Sequence, residues 1–110
     1  MPKQSFEELL SAVGKEGASD LHISAGRRPT LRIDGNLVPL TQYEVLTPDT
    51  AREFVFALLN DAQEEQFVKE LELDFSYNFR DRARFRVNVF HQRGFMSAAL
   101  RLISTKIRTL

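Results

Sequence analysis

The sequence has no cysteine, no tryptophan and only two histidines among its 110 residues. Without cysteine, the chain has no disulfide, no thiolate metal ligand and no thiol nucleophile. The two isolated histidines, His22 and His91, argue against a zinc site built from protein side chains alone. No apolar run approaches the roughly 18 residues of a transmembrane helix. The N-terminus also lacks a basic-then-apolar signal segment, so the expectation is a cytoplasmic domain.

The motifs of a self-sufficient active site are missing as well. The sequence contains no G-x-x-x-x-G-K-[ST] phosphate loop and no G-x-G-x-x-G turn. It also contains no G-x-S-x-G nucleophile turn and no H-E-x-x-H metal motif. The sequence therefore predicts a domain that carries no catalytic centre of its own.

The chain does contain enough apolar material for one folded core, because 43% of its residues are hydrophobic and nine are phenylalanine. Its length suits a single domain. The formal net charge is zero, but the charges are segregated. Residues 41–79 carry nine acidic and two basic side chains, whereas residues 80–110 carry eight basic and one acidic. The distribution of charge therefore bears on partners more than its total does.

Three segments have helical patterns. The first carries an apolar stripe at helical spacing, formed by Phe6, Leu9, Leu10 and Val13. Ser5 and Glu8 match a capping box at its start. Thr47 is placed to cap the second helix, and Asp61 with Glu64 to cap the third. The predicted buried side of the third helix consists of Phe67, Val68 and Leu71.

Six segments read as short strands, at residues 20–24, 30–33, 36–40, 73–79, 83–90 and 95–103. Asp34-Gly35 between the second and third predicts a two-residue type I′ hairpin turn. The order α, β, β, β, α, α, β, β, β contains no repeated strand–helix–strand unit, which argues against a doubly wound parallel sheet. The sequence predicts an α+β domain whose mainly antiparallel sheet is packed by two or three helices.

The arginines of the last third are the most informative candidates for a site. If residues 83–103 form a hairpin, Arg101 lies beside Arg84 or Arg86 on the face away from the core. Guanidinium groups held this close repel one another, and they suit phosphate oxygens, which accept paired N–H donors. Two interpretations follow: these arginines pair with the acidic middle third or solvate one face, or they form an anion site.

Two other pairs of residues stand out. Asp20 and His22 share a strand face, but no third ligand or catalytic partner is visible, so a hydrogen-bonded structural pair is favoured over a metal or catalytic dyad. Arg27 and Arg28 precede Pro29 in an exposed or interface loop. Nucleic-acid binding is not expected, because arginines and aromatic residues alternate on opposite strand faces and the net charge is zero.

Five blocks of sequence, taken together in their order and spacing, resemble the N-terminal domain of PilT-type ATPases. These ATPases are type IV pilus motors within the type II/type IV secretion ATPase superfamily. The blocks are GASDLHIS at 17–24, PTLRIDGNL at 29–37, DFSY at 74–77, ARFRVNVFHQRG at 83–94 and LRLI at 100–103. They cover nearly the whole chain.

The resemblance implies a PAS-like N-terminal domain over residues 1–103. Residues 104–110 would begin a linker to a C-terminal RecA-like ATPase domain that this sequence does not contain. ATP and Mg²⁺ would bind the full-length protein, and no cofactor is expected on the isolated domain, which would not hydrolyse ATP alone. The wording of the R-F-R-V-N block favours the retraction motor.

The resemblance also implies roles for particular residues. Arg86 and Arg101, with Arg84 as a weaker candidate, would contact the γ-phosphate of ATP. Structural or interface roles would fall to Asp20, His22, Arg27 and Arg28. The expected partners are the ATPase domains of the same chain and of the adjacent subunit in a homo-hexamer. A pilus inner-membrane platform protein is a further expected partner, and it would place the motor in the cytoplasm at the inner membrane.

Two alternatives stay open from the sequence. One is a stand-alone PAS-like module that binds a ligand or dimerises. The other is the N-terminal domain of a pilus-extension or type II secretion ATPase, which would share the fold and the arginines.

Overall fold

The computed structural model describes residues 3–104 of the chain. Its helices are α1 (Lys3–Lys15), α2 (Pro48–Leu58) and α3 (Asp61–Glu70). Its strands are β1 (Asp20–Ile23), β2 (Thr30–Ile33), β3 (Asn36–Pro39), β4 (Glu72–Phe79), β5 (Ala83–Gln92) and β6 (Phe95–Ser104). This is the predicted order of elements, and the prediction of an α+β fold is confirmed. Of the predicted linker at residues 104–110, Ser104 is the last residue of β6, and residues 105–110 lie outside the described residues.

The six strands form one sheet in the order β3-β2-β1-β6-β5-β4. Every neighbouring pair of strands is antiparallel. β1 and β6 lie side by side at the centre of the sheet although some 80 residues separate them in the chain. Their pairing therefore brings the start of the sequence next to its basic end.

Apolar and polar residues alternate along the strands, so the sheet has one apolar face, and the helices cover that face. The fully buried side chains of this core include Leu21, Leu31, Phe54, Phe67, Phe85, Val87 and Leu100. Phe6 of α1 packs on Phe54 of α2 with ring centroids 5.0 Å apart. The opposite face, here called the open face, carries the polar side chains of β1, β5 and β6. Within residues 3–104, no helix is long and apolar enough to cross a membrane.

Two tight turns set the strand register. Asp34 and Gly35 have φ of +51° and +83°, which confirms the predicted type I′ turn between β2 and β3. Arg93 and Gly94 have nearly the same values, +57° and +82°, between β5 and β6. Because a two-residue turn fixes which residues face each other, it also fixes which side chains share the open face.

The helix starts agree only in part with the sequence patterns. Thr47 caps α2 as predicted, its hydroxyl accepting the backbone N–H of Thr50 at 3.1 Å. The predicted cap of α1 was wrong, because α1 already includes Lys3 and Ser5 lies inside the helix. A capping side chain must precede the first helical turn to meet its free N–H groups, and Ser5 does not.

The third helix starts one residue earlier than the Asp61–Glu64 pattern indicated. Asn60 is the cap: its side-chain oxygen accepts the N–H of Gln63 at 2.8 Å, and Gln63 Oε1 accepts the N–H of Asn60 at 2.9 Å. This reciprocal pair satisfies two backbone groups. Phe67 is the only fully buried residue of α3 among those described. The predicted burial of Val68 and Leu71 was therefore wrong, since they are 62% and 54% exposed.

Candidate functional site

The β5–β6 hairpin places two of the three candidate arginines directly opposite each other. Arg86 pairs in register with Arg101, whereas Arg84 pairs with Ser104 because the register shifts between Arg84 and Phe85. Of the two registers that the sequence allowed, the structure has the one that joins Arg86 and Arg101. Arg84 lies on the same open face but outside this pair.

A buried carboxylate holds Arg101 from its other side. Asp20 of β1 pairs in register with Arg101, and the guanidinium donates from Nε to Oδ1 at 3.1 Å and from Nη2 to Oδ2 at 3.5 Å. Asp20 is only 5% exposed. Arg32 of β2 approaches the same carboxylate, with Nε 3.6 Å from Oδ2. The sheet thus carries a row of four charged side chains, here called the arginine row: Arg32, Asp20, Arg101 and Arg86.

The arginine row has three positive charges and one negative charge, so it is electropositive. The hydrogen bond from Arg101 to Asp20, reinforced by their charge attraction, raises the pKa of Arg101, which keeps it cationic. Arg86 is exposed, and within residues 3–104 its side chain forms no hydrogen bond or ion pair. Arg101 is therefore oriented by the fold, while all the N–H donors of Arg86 are available to an anion.

A shallow groove of about 240 Å³ lies over the row and the strand positions next to it. Its lining includes Asp20, His22, Asp74, Arg86, Asn88 and Arg101. Asn88 donates to Asp74 Oδ1 at 3.2 Å and to Glu72 Oε2 at 3.3 Å. The carboxylates on that flank leave the arginine row as the side of the groove that suits an anion.

The other candidate residues are placed separately. His22 shares the open face with Asp20, but no hydrogen bond joins them because the Asp20 carboxylate engages two arginines. The Nε2 atom of His22 is buried without a hydrogen-bond partner. Arg27 and Arg28 lie exposed in the β1–β2 loop, where Arg28 Nε donates to the backbone oxygen of Tyr43 at 3.0 Å.

Arg32, the second partner of Asp20, was not predicted from the sequence. The β1–β2 connection is a six-residue loop, so the turn residues do not determine which residues of the two strands face each other. The tertiary structure sets Asp20 opposite Arg32. Arg32 lies between the apolar Leu31 and Ile33, and this alternation was the available signal that its side chain is on the open face.

Comparison with known proteins supports the resemblance noted in the sequence. No protein-family model matches the chain. It is 41% identical over 108 residues to the type IV pilus retraction ATPase PilT of Pseudomonas aeruginosa, with 94% of this chain and 30% of that protein covered. It is 38% identical over 105 residues to the type IV pilus ATPase PilU of the same organism, with 96% of this chain and 27% of that protein covered.

Solved structures agree with this similarity. A crystal structure of the pilus retraction motor PilT with bound ADP superposes with a TM-score of 0.84 at 33% identity, over 93% of this chain and 30% of that one. The ATPase DotB of Legionella pneumophila superposes with a TM-score of 0.78 over 94% of this chain and 30% of that one, and at 22% identity it shows the shared fold alone.

The fold and these similarities define a class, the α+β N-terminal domains of secretion ATPases. Within that class the chain corresponds to the N-terminal domain of PilT-type ATPases, as the sequence blocks predicted. It spans less than a third of the length of the curated relatives it matches.

Proposed function

We propose that this chain serves as the N-terminal domain of a hexameric pilus motor ATPase and contributes arginines that sense the γ-phosphate of ATP. The observation that carries the proposal is the arrangement of Arg86 and Arg101. They lie directly opposite each other on the open face. Asp20 orients one guanidinium, and the other has no partner within residues 3–104.

The chemistry of this pair suits a terminal phosphate. Two guanidinium groups on adjacent strands present several N–H donors to the phosphate oxygens, and their positive charge opposes the negative charge that develops during phosphoryl transfer. Because antiparallel strands are rigid, the donors keep their spacing when the domain moves. Arg84, two residues away along β5 on the same face, is a weaker contributor. ATP and Mg²⁺ would be held by the ATPase domain of the full-length protein.

The same arrangement would couple nucleotide state to domain position. An arginine delivered from a separate domain ties that domain to the γ-phosphate while the phosphate is present, and hydrolysis removes the contact. In a ring of six subunits the resulting rotation would change the shape of the ring and drive pilus retraction. The ring would act through the inner-membrane platform of the pilus, on the cytoplasmic side.

Charge segregation supports packing between neighbouring subunits. The exposed surface of α3 carries Asp61, Glu64 and Glu65, while basic side chains dominate the open face and the loop of Arg27 and Arg28. Opposite charges on separate surfaces favour association with a neighbour and set its orientation. We propose that these surfaces contact the ATPase domain of the same chain and of the adjacent subunit.

The proposal is tested in the full-length protein. Arg86→Ala and Arg101→Ala are each expected to lower the ATPase turnover by roughly 100-fold, since each removes a donor aimed at the reacting phosphate. Arg82→Ala, which removes one exposed charge at the β4–β5 turn, is the matched control and should keep wild-type turnover. Hexamer content is measured in parallel by analytical ultracentrifugation. Unchanged turnover with both arginines removed would refute the role of the pair.

A further inference from the structure

A second basic region lies at the other end of the open face. Two adjoining cavities of about 220 and 190 Å³ share Ser24, Arg27, Gln92 and Ser97 in their linings. We call them together the basic groove. Ser97 stands four residues from Arg101 along β6, about 13 Å away. The basic groove is thus separate from the Arg86–Arg101 pair, although Arg32 of the arginine row also lines it, and the γ-phosphate contact proposed above does not use it.

The floor of the basic groove holds polar groups without partners. Ser97 is 2% exposed, lines both cavities, and makes no side-chain hydrogen bond within residues 3–104. His22 lines the first cavity, and its buried Nε2 has no partner. Native structures satisfy almost all buried polar groups. The buried His22 Nε2 without a partner, together with the uncommitted Ser97 hydroxyl that lines both cavities, therefore indicates a position that can bind a ligand.

The rim supplies two uncommitted guanidinium groups. Within the described part of the chain, neither Arg27 nor Arg93 forms a side-chain hydrogen bond or ion pair. Arg27 projects from a loop fixed by two backbone hydrogen bonds, Gly26 N–H to Leu46 oxygen at 2.8 Å and Leu46 N–H to Arg27 oxygen at 2.9 Å. Arg93 projects from the tight β5–β6 turn. Both charges are therefore carried on ordered backbone.

The residues that line the basic groove indicate which kind of ligand it can bind. Neither cavity has an acidic side chain in its lining, whereas the groove over the arginine row includes Asp20 and Asp74. Arginine, serine and threonine lining groups all donate hydrogen bonds. A ligand that meets them must be rich in acceptors and negatively charged, as a phosphate group is.

The two-lobed shape of the basic groove further narrows the class of ligand that it can bind. One lobe is flanked by His22, Arg28 and Thr30, and the other by Arg93 and Phe95, with Arg27 and Ser97 common to both. We infer that the basic groove binds a diphosphate group, with one phosphate in each lobe and Arg27 between them. The diphosphate is either inorganic or part of a nucleoside diphosphate whose organic portion rests on the adjoining Phe90 or Phe95.

The test is a titration of the ¹⁵N-labelled 110-residue chain with inorganic pyrophosphate, followed by NMR. The expected result is saturable shifts centred on the amides of Ser24, Arg27 and Ser97. Arg27→Ala and Ser97→Ala should each weaken binding by about tenfold or more, because each removes a donor to a charged oxygen. Ser97→Ala changes the side-chain volume little, so this variant retains the fold.

Two comparisons separate this site from general charge attraction and from the γ-phosphate proposal. Arg82→Ala alters the net charge as Arg27→Ala does but lies outside the basic groove, so it should leave the affinity measured at the amides of Ser24, Arg27 and Ser97 unchanged. Pyrophosphate bound at the Arg86–Arg101 pair shifts a different set of amides, and its affinity is fitted separately. Equal weakening by Arg82→Ala, shifts confined to Arg86 and Arg101, or a response that does not saturate would each overturn the inference.

A parallel titration with ADP identifies the source of the diphosphate. Tighter binding of ADP, with added shifts at Phe90 or Phe95, supports a nucleoside diphosphate, and equal affinity supports the inorganic form. Binding of neither compound would refute the site and leave the γ-phosphate proposal standing, because that proposal is judged by turnover of the full-length protein.

Discussion

The carboxylate of Asp20 is expected to stabilise the domain more than any exposed acid on the same face. Asp20 is 5% exposed and accepts two hydrogen bonds from Arg101, with Arg32 at 3.6 Å on its other side. Asp20→Asn keeps the size of the side chain and removes its charge. Three arginines of one row are then left without the acid that separates them.

The expected cost follows from the burial of Asp20. Hydrogen bonds to charged groups contribute about 1.5–3 kcal/mol each, and a buried amide can recover part of that. We therefore expect Asp20→Asn to lower the free energy of unfolding by about 2 kcal/mol, which for a domain of this size lowers the melting midpoint by roughly 8–16 °C. The effect should persist in part at high salt, because the Asp20 carboxylate is buried, whereas the Arg101 side chain is 72% exposed and is screened by salt.

Asp74→Asn is the matched control, because Asp74 lies exposed on the same face and loses the same charge. Its expected cost is below about 1 kcal/mol. Urea unfolding of both variants, followed by circular dichroism, measures the difference. A double-mutant cycle with Arg101→Gln should show a favourable coupling between Asp20 and Arg101. Equal losses for Asp20→Asn and Asp74→Asn would refute the reasoning.

Three further predictions concern the rest of the domain. Leu71, the residue that caps the end of α3, has φ of +65° and is 54% exposed. Leu71→Gly should raise the free energy of unfolding by about 0.5–1 kcal/mol in urea titrations, because glycine relieves the strain of the left-handed conformation. Leu71→Ala keeps that strain and should not raise it. Burial, then the hydrogen bond and charge of Glu8, raises the pKa of Tyr43 above its ordinary 10.0. The folded state therefore keeps the Tyr43 proton to a higher pH than the unfolded state does. The associated stability is complete below pH 10 and falls as the pH rises above 10. Tyr43→Phe should reduce the slope of the free energy of unfolding against pH in that range, and an unchanged slope would contradict this assignment. Phe54→Ala, at a 1% exposed position, should cost about 3–5 kcal/mol in urea unfolding, while a loss under about 1 kcal/mol would show that Phe54 is not part of a packed core.

The local structure of this domain was largely predictable from neighbouring residues. The alternation of Ala83, Phe85 and Val87 with arginines predicted both β5 and the face that its arginines occupy. The Asp34-Gly35 pair predicted the β2–β3 turn, because this turn needs positive φ at two neighbouring residues and few residue pairs adopt it. The opposition of Arg86 and Arg101 followed as one of two registers, since a short hairpin limits the possible pairings.

Cap positions were less predictable because several adjacent residues can serve. Asn60 and Asp61 are both good caps, and each has a suitable partner three residues later. The structure has Asn60 as the cap, in a reciprocal pair with Gln63, and the burial of Phe67 in the core fixes the rotation of α3. The same rotation left Val68 exposed, against the prediction from helical spacing.

The sequence by itself determined the elements, their order and the face on which each arginine lies, because these depend on periodicity and turn chemistry within a few residues. Only the tertiary structure decided that β1 lies beside β6, since a contact between residues 81 positions apart leaves no local pattern. That pairing brings Asp20 to Arg101 and leaves Arg86 as the arginine of the pair that is free to meet an anion. The tertiary structure also brings Arg27 to the same groove as Arg93, although 66 positions separate them in the chain.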